Sequence, residues 1–354
     1  MRELRGTGGC KELVNYGGCG FIGRRVVEIL RRFDVQCGIR VFDDLSVGSI
    51  DCLRAISSVE QHDKTSVVLP ELGPRVLQFV RGDVKDSWAL DMAMRGIDVV
   101  VHLAANTGVA PSVEDPRSDF ANNVIGTLNA LESARRFGVR RFIFASSGAP
   151  VGEATPPVRE DVPPRPVSPY GASKLAGEGY CSAYAKTFGV ETVILRFANV
   201  YGPGSQHKSS VVAKFIRDAM GPGVLHINGD GSQTRDFIYI DDLVEAVLAA
   251  SEARGIAGET FHIATERETS IRELVSILSE RLVRRGVCAP RVVYERQRKG
   301  DVMRNYADTS KARQLLRWSS RTGVENGIDL TLDWFFSCDR SNSALWMPEA
   351  KDSE

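Results

Sequence analysis

A phenol and an ammonium stand four residues apart in Tyr170-Gly171-Ala172-Ser173-Lys174. On a helix that spacing stacks both groups on one face. A cation beside a phenol favours the phenolate, so Tyr170 is the candidate general base and Lys174 its activator. The same spacing also occurs on ordinary solvated helix faces, and the motif takes its weight from what precedes it. Ser146-Ser147 closes a predicted strand. A serine at the C-terminal end of a strand in an open α/β sheet points into the ligand crevice. Ser147 there donates a hydrogen bond to a substrate oxygen while Tyr170 removes its proton.

A second constellation lies near the N-terminus. Gly17-Gly18-Cys19-Gly20-Phe21-Ile22-Gly23 follows the first predicted strand and opens the first predicted helix, with glycines at 17, 20 and 23. The first allows a tight turn, the second lets backbone N–H groups reach a pyrophosphate, and the third permits close helix–strand packing. Asp43 ends the second predicted strand, where an acid bonds the adenosine ribose hydroxyls. Its charge also repels a 2′-phosphate, which favours NAD over NADP. Asp44 beside it reads as a turn residue. Gly82-Asp83-Val84 follows the third strand and places Asp83 within reach of an adenine amino group, although a Gly-Asp after a strand is by itself an ordinary turn. With a dinucleotide in place, Lys174 can also hold the nicotinamide ribose.

The elements that must position these groups alternate in period. Strands are expected at 12–16, 36–42, 76–80, 99–103, 141–145 and 192–197, with helices at 24–33, 88–94, 116–137 and 169–187 between them. Repeated β-α units of this kind give a doubly wound parallel sheet with helices on both faces, an α/β Rossmann-type fold. Beyond Arg196 the pattern loosens into a helix at 211–220, a strand at 236–240 and a helix at 242–253. The Pro-rich stretch 156–169 is a loop, and the tail beyond Cys338 is polar and expected to be poorly ordered. Arg196 and His102 lie inside strand patterns, the first as a structural ion pair and the second as a core residue.

Composition excludes several classes. In 354 residues, Lys+Arg and Asp+Glu both number 45, so no global field draws the chain to nucleic acid or an anionic membrane. Seven cysteines without a C-x-x-C pair fit a reducing compartment, and no metal-ligand spacing is present. No apolar run is long enough to span a bilayer, and Met1 to Gly9 lacks the apolar core of a signal peptide, so the expected location is cytoplasmic.

The motifs stand in an order that closely resembles the extended short-chain dehydrogenase/reductase family, in particular its nucleotide-sugar epimerases and dehydratases. They are GGCGFIG at 17–23, VFDDLSVG at 41–48, GDVKD at 82–86, VVHLAA at 100–105 and NNVIGTLNALE at 122–132. FIFASSGAPVG at 142–152, SPYGASK at 168–174, RFANVYGP at 196–203, GDGSQTRDFIYIDD at 229–242 and RKGDVMRNYADTSKA from 298 onward continue the series. The resemblance covers nearly everything from 11 to about 336. It implies an NAD-binding domain over 10–195 plus about 236–262, a smaller nucleotide-sugar domain over 196–235 and 263–337, and a tail at 338–354. It implies a catalytic triad of Ser147, Tyr170 and Lys174. NAD contacts are expected at Gly17, Gly20, Phe21, Ile22, Gly23, Asp43, Asp44, Asp83, Val84, Leu103, Ala104 and Ala105, besides Tyr170 and Lys174. Substrate contacts are expected at Thr107, Ser147, Asn199, Arg235, Arg298 and Asp301, with the two arginines on the diphosphate. Helices 116–137 and 169–187 resemble the pair through which the family forms a homodimer.

Two departures from the family pattern stand out. Asn15 and Tyr16 replace an apolar residue and a threonine before the first glycine, which is expected to weaken the strand end or perturb the adenosine pocket. Pro150-Val151-Gly152 lacks the usual aromatic near the sugar. The family's reactions share a first step, in which Tyr170 takes the C4 hydroxyl proton and hydride passes to NAD. A 4,6-dehydratase then needs an acid and a base after the serine, and a uronate decarboxylase carries a Glu nearby. Gly148 and Ala149 can do neither, which leaves 4-epimerisation of a UDP-sugar as the expected outcome, with a dehydratase or decarboxylase as alternatives. A catalytically silent NAD sensor is the reading from another class, and it is disfavoured because Tyr170 and Lys174 are both kept. In the loop 202–210, Lys208 could hold a uronate carboxylate or be merely solvated, so UDP-glucose/UDP-galactose and UDP-glucuronate/UDP-galacturonate both stay open.

Overall fold

The computed structural model describes residues 12–33, 36–62, 69–297 and 302–341. Along the chain, β1 (Glu12–Tyr16) leads through the glycine loop to α1 (Phe21–Phe33), then β2 (Gly38–Asp43), α2 (Asp51–Arg54), β3 (Glu60–His62), β4 (Leu77–Arg81), α3 (Ser87–Met94) and β5 (Val99–His102). Two short helices, α4 (Val109–Glu114) and α5 (Pro116–Phe120), run into a π-helical turn (Ala121–Ile125) and α6 (Gly126–Arg136). Then follow β6 (Arg141–Ser147), α7 (Pro169–Phe188), β7 (Glu191–Phe197), β8 (Asn199–Tyr201), α8 (Val211–Met220), β9 (Val224–Asn228), β10 (Thr234–Arg235), β11 (Phe237–Tyr239), α9 (Ile240–Glu252) and β12 (Glu259–Ile263). The chain closes with β13 (Thr269–Ser270), α10 (Ile271–Arg284), β14 (Arg291–Glu295), a second π turn (Ala312–Leu316) and α11 (Val324–Ser341).

Eight strands form one sheet in the order β12-β7-β6-β5-β1-β2-β4-β3, with every pairing parallel. Strand order reverses between β1 and β5, the switch point where such sheets open a crevice at their C-terminal edge. Both faces are covered, so the central strands are buried on each side, as in Val99–His102 and Gly38–Asp43. One face packs Leu13, Ile39, Val101, Ile143 and Leu195 against α1 and α9. The other packs Val14, Val100, Phe142, Phe144 and Ile194 against α3, α6 and α7. Small sheets, β8–β11, β9–β14 and β10–β13, build the remainder.

The expected elements recur with shifted ends. β6 runs on to Ser147, which places both serines within the strand, and α1 begins at Phe21. The expected helix 116–137 is interrupted by the π turn and is preceded by α4. α11 continues to Ser341, past Cys338 where a tail was expected, and 342–354 lie outside the described residues. β12 was not foreseen: its five residues include Glu and His, and it gains strand character by pairing with β7. β1 is not weakened by its two unusual residues. Tyr16 is fully buried, edge-on to Phe42 at 5.3 Å and pairing in register with Phe42 and His102. Asn15 faces α1, where its amide donates to Gly23 O at 2.9 Å.

Candidate active site

The glycine loop has the shape a dinucleotide needs. Gly17 takes φ +81°, and a Cβ there would lie 2.8 Å from Ala104 N, so the loops after β1 and β5 touch across the switch point. A Cβ on Gly23 would lie 2.3 Å from Gly17 O, which holds the first turn of α1 hard against the loop. The opening N–H groups of that 13-residue helix, at Phe21 and Ile22, have no acceptor within the helix and offer an anion site. At the end of β2, Asp43 accepts from Cys19 N–H at 2.9 Å and Leu45 N–H at 2.8 Å, one bond per carboxylate oxygen. Each oxygen keeps a lone pair for a ribose hydroxyl. Burial raises the pKa of Asp43, and the two backbone bonds oppose it. These residues fit NAD.

The remaining residues expected around the dinucleotide are more varied. Asp44 accepts from Ser46 N–H at 2.9 Å and from its hydroxyl, the turn role its position indicated. Asp83 accepts from Lys85 N–H at 2.8 Å and pairs with its ammonium at 3.1 Å, while Val84 is buried under Gly126. Leu103 N–H donates to Tyr16 O at 2.9 Å, and with Ala104 and Ala105 it forms the half-buried floor beyond β5.

Of the expected triad, Ser147 and Tyr170 meet, and Lys174 lies one turn further along α7. Ser168 caps α7 through Gly171 N–H at 3.1 Å, and Pro169 starts the helix. Small residues let α7 settle on the sheet: a Cβ on Gly177 would lie 2.3 Å from Phe144 Cζ, and one on Gly171 2.6 Å from Ala149 O. Tyr170 hydrogen-bonds Ser147, and the Ser147 hydroxyl oxygen accepts from Ala149 N–H at 3.1 Å. The expected effect of Lys174 on Tyr170 is not what the geometry gives. Burial raises the Tyr170 pKa, the Ser147 hydrogen bond lowers it, and the Asp119 charge raises it. Lys174 donates instead to Ala145 O at 2.9 Å and lies 5.0 Å from the Phe144 ring centroid. Burial brings its ammonium down to about 8.

Behind the triad lies a polar layer that motif reading passed over. Asn123, placed by the π turn, donates to Asp119 at 2.9 Å, Asn106 O at 3.0 Å and Ser173 Oγ at 3.1 Å, and accepts from Asn106 N–H at 2.8 Å. Ser112 accepts from Tyr170 N–H at 3.1 Å. One turn past Lys174, Glu178 binds Arg196 through both oxygens at 2.9 and 2.7 Å and accepts from Ser146 at 2.6 Å. Arg196 is therefore the structural ion pair its strand position indicated. His102 is the expected core residue, 3.0 Å from Thr127 Oγ1, with its pKa lowered by burial to about 3.

On the substrate side, Thr107 and Asn199 are exposed, and Asn199 donates to Asp236 O at 3.3 Å. Arg235 donates to Thr234 O and Val302 O at 2.7 and 2.6 Å. Arg298 and Asp301 lie outside the described residues. The loop carrying Lys208 is held by Arg217, which donates to Gln206 O at 2.6 Å and Lys208 O at 2.8 Å. Burial lowers the Lys208 pKa, and no carboxylate pairs with it among the described residues. Val151 is buried, with its carbonyl accepting from Arg165 N–H at 3.2 Å.

Among the described residues no helix is long and apolar enough to cross a membrane and no cluster suits a metal ion. Over residues 16–264 the chain matches the NAD-dependent epimerase/dehydratase family. A UDP-glucose 4-epimerase of Mycolicibacterium smegmatis is 35% identical over 325 residues, 90% of this chain and 96% of that one. A UDP-glucuronic acid 4-epimerase of Bacillus cereus, solved with UDP-glucuronic acid and NAD, superposes with a TM-score of 0.80 at 30% identity, over 92% of this chain and 99% of that one. A dTDP-glucose 4,6-dehydratase of Actinoplanes is 31% identical over 93% of this chain and 98% of that one. With its glycine cradle, its tyrosine and lysine one turn apart on α7 and its eight-stranded parallel sheet, the chain belongs to the NAD-dependent epimerase/dehydratase family and takes NAD as its cofactor.

Proposed function

We propose that this chain is a UDP-hexose 4-epimerase acting through Ser147, Tyr170 and Lys174. The observation that carries the proposal is the surface after Ser147. Gly148 and Ala149 bear no proton-transfer group, and among the described residues, chain neighbours aside, the space a Gly148 Cβ would fill meets Asn305 Nδ2 at 4.0 Å. A dehydratase needs a base and an acid at that place to strip the C5 proton and expel the C6 hydroxyl, and an amide does neither.

NAD, when bound, accepts and returns the C4 hydride. Ser147 hydrogen-bonds the substrate O4, and Tyr170 Oη takes the O4 proton and gives it back. Lys174 holds the ribose beside them. Gly148 and Ala149 offer no group to divert a ketone at C4, so inversion at C4 is the outcome the residues support. Asn199, Arg235, Arg298 and Asp301 hold the nucleoside diphosphate, arginines binding phosphate through their planar fork.

Lys208 favours one version of the sugar. A half-buried ammonium with no carboxylate partner among the described residues is costly, and the carboxylate of a uronate would compensate it. A panel of UDP-glucose, UDP-N-acetylglucosamine, UDP-glucuronate and dTDP-glucose, read by mass spectrometry and NMR, tests the proposal. Unchanged mass with inverted C4 supports it. Loss of water or of carbon dioxide overturns it.

A further inference from the structure

We propose that Cys19 and Cys52 form an oxidisable thiol pair, and that their disulfide shuts the dinucleotide loop. The consequence for NAD rests on the dinucleotide reading above, whereas the pairing rests on the contact between the Cys52 thiol and the Cys19 residue. Cys19 is the third residue of the glycine loop and nearly buried, while Cys52 sits half-buried in the one-turn helix α2. The Cys52 thiol donates to Cys19 O at 3.7 Å, and the two thiols perturb each other's titration. Nothing separates the two segments: a Cβ on Gly48 would lie 2.2 Å from Cys19 O and 2.9 Å from Cys19 Cβ. Cys37 and Cys181, the other fully buried thiols described, bond elsewhere or face the opposite side of the sheet.

The pair is polarised. The neighbouring Cys19 thiol and the charge of Arg24 lower the Cys52 pKa against the opposing effects of burial and Asp43, while Cys52 and burial raise that of Cys19. Cys52, the more exposed sulfur, is therefore the nucleophile and Cys19 the resolving thiol. With hydrogen peroxide from solution as oxidant, the Cys52 thiolate attacks one oxygen, the O–O bond breaks and hydroxide leaves, giving a sulfenic acid. The Cys19 sulfur then attacks that sulfur, the S–S bond forms, the S–O bond breaks, and the departing hydroxide takes the Cys19 proton as water. In sum two thiols are oxidised and one peroxide is reduced to two waters. Cys19 N–H is a donor to Asp43, so drawing Cys19 toward α2 disturbs both the loop and the carboxylate beside it.

The test treats the full chain, with NAD and without, with dilute hydrogen peroxide, then alkylates, digests and maps the peptides by mass. The expected product links the Cys19 and Cys52 peptides, lighter by two hydrogens, forms more slowly when NAD is bound, and reverts with dithiothreitol. Cys52→Ser is expected to form no link and to keep its activity under peroxide. Recovery of both residues as alkylated thiols, a link from Cys52 to another cysteine, or arrest at sulfinic acid would overturn the pairing. A link that forms without loss of NAD binding, measured by calorimetry on the oxidised chain, would overturn the switch and leave the pairing standing. Failure to bind NAD even when reduced would instead sink the dinucleotide reading, with the mapping unaffected.

Discussion

Tyr170 is half-buried, and of the groups acting on its phenol only the Ser147 hydrogen bond favours the phenolate. Replacing Tyr170 with Phe removes the proton carrier and keeps the shape. The rate is expected to fall by about 10²–10⁴-fold, the usual worth of a positioned acid–base group, with NAD still bound. A near-normal rate on a UDP-sugar would refute the assignment. Lys208→Ala is expected to raise KM for UDP-glucuronate and leave UDP-glucose unchanged; equal effects would remove the carboxylate role. Lys174 makes a prediction about stability. Its pKa falls from 10.5 to about 8 on folding, so the folded chain binds fewer protons than the unfolded one between those values. Stability therefore rises with pH across that window, by at most about 3 kcal/mol from this group. Urea denaturation at pH 7.5 and pH 10 should show the rise in the natural chain and a smaller one in Lys174→Met. The types and spacing of Ser147, Tyr170 and Lys174 were legible because helix and strand periodicity dictates them. Asp119 and Asn123 were not: Asn123 reaches Ser173 across 50 positions of sequence, and no local pattern records that contact.

At the scale of elements, Glu178 joins α7 to β7 through Arg196 and to β6 through Ser146. Both charged side chains are almost fully buried. Truncating Arg196 to Met strands a buried carboxylate, with an expected loss of about 3–5 kcal/mol. Glu178→Gln combined with Arg196→Met should recover part of it, and additive losses in denaturant would show that the two do not act as a pair. Most elements of the parallel sheet were visible as apolar runs of the right length. Those that escaped owe their form to neighbours. The π turn brings Asn123 under Tyr170's helix, and β9 and β14, neither of them a buried apolar run, find each other only in space.

At the scale of the whole molecule, α5, the π turn and α7 leave Phe120, Ile125, Tyr180 and Phe188 exposed. Large apolar side chains gathered on adjoining helices mark an association surface. We expect a homodimer built on these helices, with a light-scattering mass of two chains and a shift toward one chain in Phe120→Asp. A wild-type mass of one chain at micromolar concentration would argue against it.

The pairing of β12 with β7 has a consequence for how the molecule is made. Synthesis runs from the N-terminus, so β7, ending at Phe197, leaves the ribosome long before β12 begins at Glu259. At the usual rate of elongation the outer edge of β7 waits about 3–12 s for its neighbour. Through that interval the nascent sheet ends in a buried-type strand, with Val193, Ile194 and Leu195 flanked by unpaired backbone groups. A chain stalled before residue 259 would keep that edge open to other nascent chains, so quality control during translation bears most heavily on this interval.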